Sequence, residues 1–327
     1  MYPWLEPIYQ QIAQAYAQGH GHHALLFRAE NGLGVEKTFL KLTALLLCQN
    51  ADSVAQGEAC GHCHSCRLVQ AGNHPDFQQI APIEGKDIGV DQIRAMNEQV
   101  AQHAQQNGNK VVYIEGVERL TEAAANAILK TLEEPRPQTY FLLQADIAAP
   151  LLATIYSRCQ VWNLPVPETQ QALDWLVANS SFAPADLADA LRINHGRPLL
   201  ALAMLEQDLL AKRKNFLRQF WLFYQRRSPL ELFPHFEKEI VFQQLSWLDD
   251  FFVDSLKNKL GIHTDWINQD IAKGVQQFSQ QLNAQQLLRG QQIVQRARAD
   301  LHNINGVNQE LILLDALTQL ITEVFDK

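Results

Sequence analysis

Long apolar runs are missing from this sequence. The most apolar stretch, Thr43 to Cys48, is six residues, far short of the roughly 18–20 that a membrane-spanning helix needs. A basic patch followed by an apolar segment is also missing near Met1-Tyr2-Pro3-Trp4-Leu5-Glu6, so no export signal is expected. Glycine (16) and proline (13) are sparse in 327 residues, and with 47% apolar residues this excludes a wholly disordered or fibrous chain. Basic residues are in deficit, 27 against 35 acidic, a net charge of −8. A field of that sign repels phosphate backbones, so binding nucleic acid would need a local basic face or a partner.

What is present divides the chain in two. Up to about residue 165, strands alternate with helices. The spacing predicts helices over 4–18, 36–47, 88–104 and 121–132, with Thr121 as an N-cap, and a short helix at Leu68 to Ala71. Strands are predicted at Ala24–Phe27, Lys110–Glu115, Thr139–Leu143 and Val161–Leu164. That alternation points to an α/β fold with a parallel, helix-covered sheet. Residues 168–207 read as two or three short helices, and 208–327 as helical throughout. In the last segment Leu313, Leu314, Leu317, Leu320, Ile321, Val324 and Phe325 share one face.

Four of the five cysteines fall between Cys48 and Cys66, as Cys60-x2-Cys63-x2-Cys66 with Cys48 upstream. Four thiolates suit a tetrahedral, soft-ligand ion, with zinc the default, and a site closed by four protein ligands is structural rather than catalytic. Free loop thiols and a nucleic-acid-reading zinc knuckle are the alternatives. Arg67 is the lone cation in the module, which counts against the knuckle. His62 and His64 alternate with the cysteines and are expected to point elsewhere. Cys159 reads as a small buried hydrophobe.

The loop from Ala29 to Gly34 lies between a strand and a helix, where phosphate-binding loops sit. Its register fails. With Lys37-Thr38 as the key pair, Glu36 and Asn31 stand where glycines belong; with Gly34 as the second glycine, Val35-Glu36 follow it. A carboxylate near the phosphate position repels the ligand, so the loop (Gly32, Gly34, Lys37, Thr38) is read as retained and its site as lost. The strand that should end in an acidic pair ends in Glu115-Gly116, and Gly116 cannot act as a base. His20-Gly21-His22-His23 reads as a polar turn. Lys212, Arg213, Lys214, Arg226 and Arg227 read as a solvated basic face, with a partner or DNA contact as the alternative; Trp221 and Phe223 read as core.

These motifs together resemble the AAA+ clamp-loader subunits of bacterial DNA polymerase III, over essentially the whole length. The carrying residues are the cysteine module, His74-Pro75-Asp76-Phe77, Ile88-Gly89-Val90-Asp91-Gln92-Ile93-Arg94, Ala127-Ile128-Leu129-Lys130-Thr131-Leu132-Glu133-Glu134-Pro135 and Ser157-Arg158-Cys159. The broken loop is similar to the branch of that family that does not hydrolyse ATP. So is Leu199, which stands three residues after Gly196 where the ATPase members carry a nucleotide-sensing arginine.

The resemblance implies a RecA-like AAA+ domain at 1–165 with the zinc module at 48–66. A small helical lid at 166–207 and an oligomerising helical collar at 208–327 would follow. It implies a rigid stator in a hetero-pentameric ring with ATPase (gamma/tau) and delta subunits, which loads the sliding clamp onto primed DNA. Such a subunit would be cytoplasmic, at the replisome, with structural zinc on Cys48, Cys60, Cys63 and Cys66 and no bound ATP. Arg158 would reach the neighbouring subunit's ATP site in trans; taken alone, the same residue reads as a structural arginine paired with a local carboxylate. The alternative is an ATP-binding clamp-loader ATPase whose altered loop, with Lys37-Thr38 and Glu115, still works.

Overall fold

The computed structural model describes residues 1–83, 86–106, 108–303 and 308–326. It divides into two compact units, Met1–Trp175 and Leu176–Lys327.

The first unit is built on a parallel sheet. Its elements in chain order are α1 (Glu6–Ala17), β1 (Ala24–Ala29), α2 (Val35–Leu47), α3 (Ala51–Ala55), α4 (His64–Gln70), β2 (Phe77–Ile80) and α5 (Val90–Ala101). There follow β3 (Lys110–Glu115), α6 (Glu122–Glu133), β4 (Thr139–Asp146), α7 (Ala153–Tyr156), β5 (Gln160–Leu164) and α8 (Thr169–Asn179), within which the division falls. The strand order is β2-β3-β4-β1-β5, every pair parallel. The three inner strands, β1, β3 and β4, are nearly continuous apolar runs, as strands covered on both faces must be. Ile93, Met96, Ile114, Ile128, Leu132, Phe141 and Leu143 fill one side of the sheet. Thr121 caps α6 as expected, its hydroxyl accepting from the Ala124 N–H at 3.3 Å.

The strand β2 was not expected from the sequence. Phe77-Gln78-Gln79-Ile80 has neither an apolar run nor a clean alternation, because it is an edge strand with one neighbour, β3. The short helices α3 and α7, of five and four residues, also escape a periodicity test. Along the sheet the direction of connection reverses between β1 and β4. At such a point open parallel sheets bind ligands, outside the carboxyl ends of the strands. The glycine loop follows β1 there.

The second unit is helical: α9 (Pro184–Ile193), α10 (Pro198–Glu206), α11 (Leu209–Arg226), α12 (Val241–Lys259), α13 (Ala272–Gln281), α14 (Ala284–Asn303) and α15 (Gln309–Gln319), with a π-helical turn at Leu320–Phe325. Phe220, Phe251, Phe252, Phe278 and Phe325 interlock around one centre, with ring centroids 5.2–6.4 Å apart in edge-on and tilted pairs. Phe223 is fully buried beside them. Gly290 lets α14 approach α12 closely, since a Cβ there would stand 2.4 Å from the Phe252 ring.

One expectation fails in this unit. Arg213 is not on a solvated face: it is 1% exposed. Its Nη1 donates to Asp270 at 3.0 and 3.3 Å, and its Nη2 to the Asn268 side chain. Asp254 closes the network, accepting from Asn268 N and Nδ2 at 2.7 and 2.8 Å. Asp270 and Asn268 lie more than 50 residues from Arg213, so no local pattern announces them. The flanking cations are paired at the surface: Lys212 with Glu237 at 2.7 Å, Arg226 with Glu231 at 2.9 Å and Arg227 with Asp326 at 3.3 Å.

Candidate functional site

The glycine loop keeps its backbone form. Gly32 and Gly34 have φ of +90° and +76°, a region in which side chains strain the backbone, and Gly34 is the N-cap residue of α2. Residues from the N-terminus gather around it. Lys37 Nζ sits 4.3 Å from the centroid of the Tyr2 ring, a cation–π contact. Thr38 is wholly buried, and its hydroxyl faces Met1 Sδ at 3.6 Å. Trp4 Nε1 donates to the Leu33 carbonyl at 2.9 Å. Tyr2 and Trp4 stack at 5.1 Å, and Trp175 packs edge-on against both at 5.4 Å. The segment Met1 to Trp4 therefore contacts Lys37, Thr38 and the Leu33 carbonyl. Glu36 stands in the first turn of α2, where an anion would bind. At the end of β3, Glu115 accepts from Gln79 Nε2 at 3.4 Å, and Gly116 turns the chain with φ +74°.

Arg158 follows α7 and is a quarter exposed. Its Nη2 donates to Glu133 Oε2 at 2.7 Å. Its Nη1 donates to the Thr154 carbonyl at 3.0 Å and to Ser157 Oγ at 3.3 Å. Its Nε has no partner. The pairing with a local carboxylate is thus present, and the unpartnered Nε is buried. Arg28, which sequence reading passed over, braces the turn leading to α7. Its Nη2 donates to the carbonyls of Asp146 (3.2 Å), Ile147 and Ala149 (2.8 Å), and its guanidinium lies over the Tyr156 ring. Cys159 packs against the sheet core, and burial pushes its thiol up to about 12.

The cysteines converge. The Sγ atoms of Cys48, Cys60, Cys63 and Cys66 lie within 4.8 Å of one another, Cys60 and Cys66 being 3.9 Å apart. Four sulfurs at ~2.3 Å from one ion would stand slightly under 4 Å apart, so the cluster is close to a tetrahedral metal cage. Backbone N–H groups already point at the sulfurs: Cys60 N to Cys48 Sγ (3.4 Å), Cys63 N to Cys60 Sγ (3.3 Å) and Cys66 N to Cys63 Sγ (3.4 Å). The His62 N–H and these contacts lower the Cys60 thiol to about 6, while burial raises those of Cys48 and Cys66. His62 turns away and contacts the Cys60 carbonyl through Nδ1. Among the described residues no other group of three or more potential ligands could hold a metal, and His22 and His23 stack on each other and contact the Ala24 and Leu132 carbonyls.

His74 ties this module to the sheet. Its Nδ1 accepts from the Asp76 N–H at 3.1 Å, which leaves Nε2 as the donor to Ser65 Oγ at 3.1 Å. Asp76 in turn accepts the N–H groups of Gln105 and Gln106 at 2.7 and 2.8 Å.

Residues 4–168 match the family model described as "DNA polymerase III, delta subunit", and residues 207–322 match "DNA polymerase III, delta subunit, C terminal". The DNA polymerase III subunit delta′ of Haemophilus influenzae is 58% identical over 327 residues, covering 100% of this chain and 98% of that one. This chain belongs to the delta-prime subunit family of DNA polymerase III. The Escherichia coli member is 36% identical, with 98% and 95% of the two chains covered. Among solved structures, a DNA polymerase III gamma subunit-related protein of Thermotoga maritima aligns over 97% of this chain and 98% of its own, at 18% identity and a TM-score of 0.44. The chain is accordingly a component of the DNA polymerase III complex, with a parallel-sheet α/β unit and a helical C-terminal region. Among the described residues, no helix is long and apolar enough to cross a membrane.

Proposed function

We propose that the chain is a non-hydrolysing stator of the clamp loader, which acts on ATP only through Arg158 placed in a neighbouring subunit's site. The observation that carries this reading is the state of its own loop. Lys37 is engaged by Tyr2, Thr38 is buried under Met1, and Glu36 lies in the first turn of α2. A nucleotide would have to displace the first two contacts and meet the charge of that carboxylate. Arg158, by contrast, is partly exposed, and its Nη2 has one described bond, to Glu133. A guanidinium is always charged and can meet the spread negative charge of a transferring phosphoryl group; supplied in trans it is worth about 10³–10⁵ in rate.

In this reading residues 1–165 form the AAA+ domain, 166–207 a lid and 208–327 the collar that holds the ring. The partners are gamma/tau ATPase and delta subunits, and the assembled ring acts on the sliding clamp and primed DNA in the cytoplasm. The four cysteines hold a structural zinc ion. The site has four protein ligands and no open position, so zinc there would fix the loop between α2 and α4 and take no part in chemistry. Calorimetric titration of Mg·ATP into the isolated chain tests the loop. No binding at millimolar nucleotide is expected; micromolar binding would instead identify an ATP-binding subunit. In the assembled complex, Arg158→Ala should leave assembly intact and sharply lower clamp- and DNA-stimulated hydrolysis.

A further inference from the structure

An arginine that acts in a neighbour's site has to present its guanidinium outward before the neighbour is engaged. Left alone, a side chain with that many torsions samples many rotamers. In this chain it is held from two sides. From α7 the Thr154 carbonyl and Ser157 Oγ take Nη1; from the end of α6 Glu133 takes Nη2 at 2.7 Å. Glu133 is the last residue of α6, where a carboxylate faces the negative end of the helix dipole and weakens the helix. More than half of its side chain is exposed, so core packing does not account for it either. Its described contact is the one to Arg158. Only Oε2 is used, in a one-point rather than two-point pair, so the guanidinium is aimed without being consumed.

Building on the in-trans role proposed above, we infer that Glu133 is a positioning residue for Arg158. It fixes the plane of the guanidinium across the gap between α6 and α7 and leaves the second Nη2 N–H toward an incoming phosphoryl oxygen. It touches neither nucleotide nor metal. Because the pair is partly exposed, its effect is modest beside that of Arg158 itself, about two- to fivefold in rate.

The test uses the assembled complex and measures clamp- and DNA-stimulated ATP hydrolysis. Glu133→Ala should lower kcat about two- to fivefold with KM for ATP unchanged. Glu133→Gln, which keeps an acceptor oxygen, should restore most of the rate. In the Arg158→Ala background, Glu133→Ala should have no further effect. In the isolated chain, ¹⁵N relaxation at Arg158 Nε should show a more mobile side chain in Glu133→Ala. A loss that persists in the Arg158→Ala background, unchanged or faster hydrolysis in Glu133→Ala, or unchanged Nε relaxation would each overturn the positioning role. Undiminished hydrolysis in Arg158→Ala would instead overturn the in-trans reading on which it rests.

Discussion

Arg213 offers the sharpest test of what holds the helical unit together. Its guanidinium is 1% exposed and has lost nearly all hydration, which is tolerable only because Asp270 and Asn268 take its donors. Burial pulls its proton affinity down, and Asp270 opposes that pull. Truncation to Ala strands Asp270, itself 4% exposed, with Lys214 at 3.7 Å as its remaining cation. Breaking a buried pair from one side costs about 3–5 kcal/mol. By native-state hydrogen exchange of the full chain, protected amides of α11 and α12 should then exchange about 10²–10⁴ times faster. Arg213→Met combined with Asp270→Leu removes both charges and should recover much of the loss, because no buried charge is left unpaired and the Asn268 side-chain oxygen alone loses its donor. Protection in Arg213→Ala within about fivefold of wild type, or a double variant as damaged as the single ones, would refute the assignment of stability to this pair.

Two further outcomes are expected. The purified chain should carry about one metal ion, lost in Cys63→Ser by elemental analysis; chelation should raise hydrogen exchange over 48–71 and leave the helical unit and assembly with the other subunits unchanged, whereas loss of assembly would show that the module is more than a local staple. Burial lowers the His74 imidazole below its usual range, with His64 adding to the effect and Asp76 opposing it. The unfolded chain therefore takes up the proton first as pH falls, and the stabilisation by His74 is present above about pH 6.5 and lost below it. The stability difference between wild type and His74→Gln should shrink from pH 7 to pH 5 in urea melts, and a difference that stays constant would contradict this.

Much of the architecture was legible because inner strands and amphipathic helices carry their burial in their own sequence. Lys110–Glu115 is predicted and found with the same ends, and α2 differs by one residue. The cysteine module was legible for a related reason: ligands three residues apart on a turn are brought together locally, and only Cys48 had to be inferred across a gap. What escaped was set by distant partners. Nothing in Phe77-Gln78-Gln79-Ile80 marks an edge strand until β3 pairs with it. Nothing around Arg213 announces Asp270. The register of the glycine loop revealed a carboxylate within it, but not that Tyr2, Trp4 and Trp175 would gather beside it, since rings that meet edge-on from 171 residues apart leave no periodic trace.

The loop after β1 separates two demands that a nucleotide site normally makes of the same residues. The fold needs the turn: β1 has to pass into α2 within a few residues, and Gly32 and Gly34 with positive φ achieve that. The ligand needs the side chains. A loop of this shape exposes backbone and cationic groups that are costly to leave bare. Here the chain itself covers them. Trp4 donates to the Leu33 carbonyl, the Tyr2 ring faces Lys37, and Met1 covers Thr38. These contacts support the turn, and with it the position of α2 against the sheet, from within the chain.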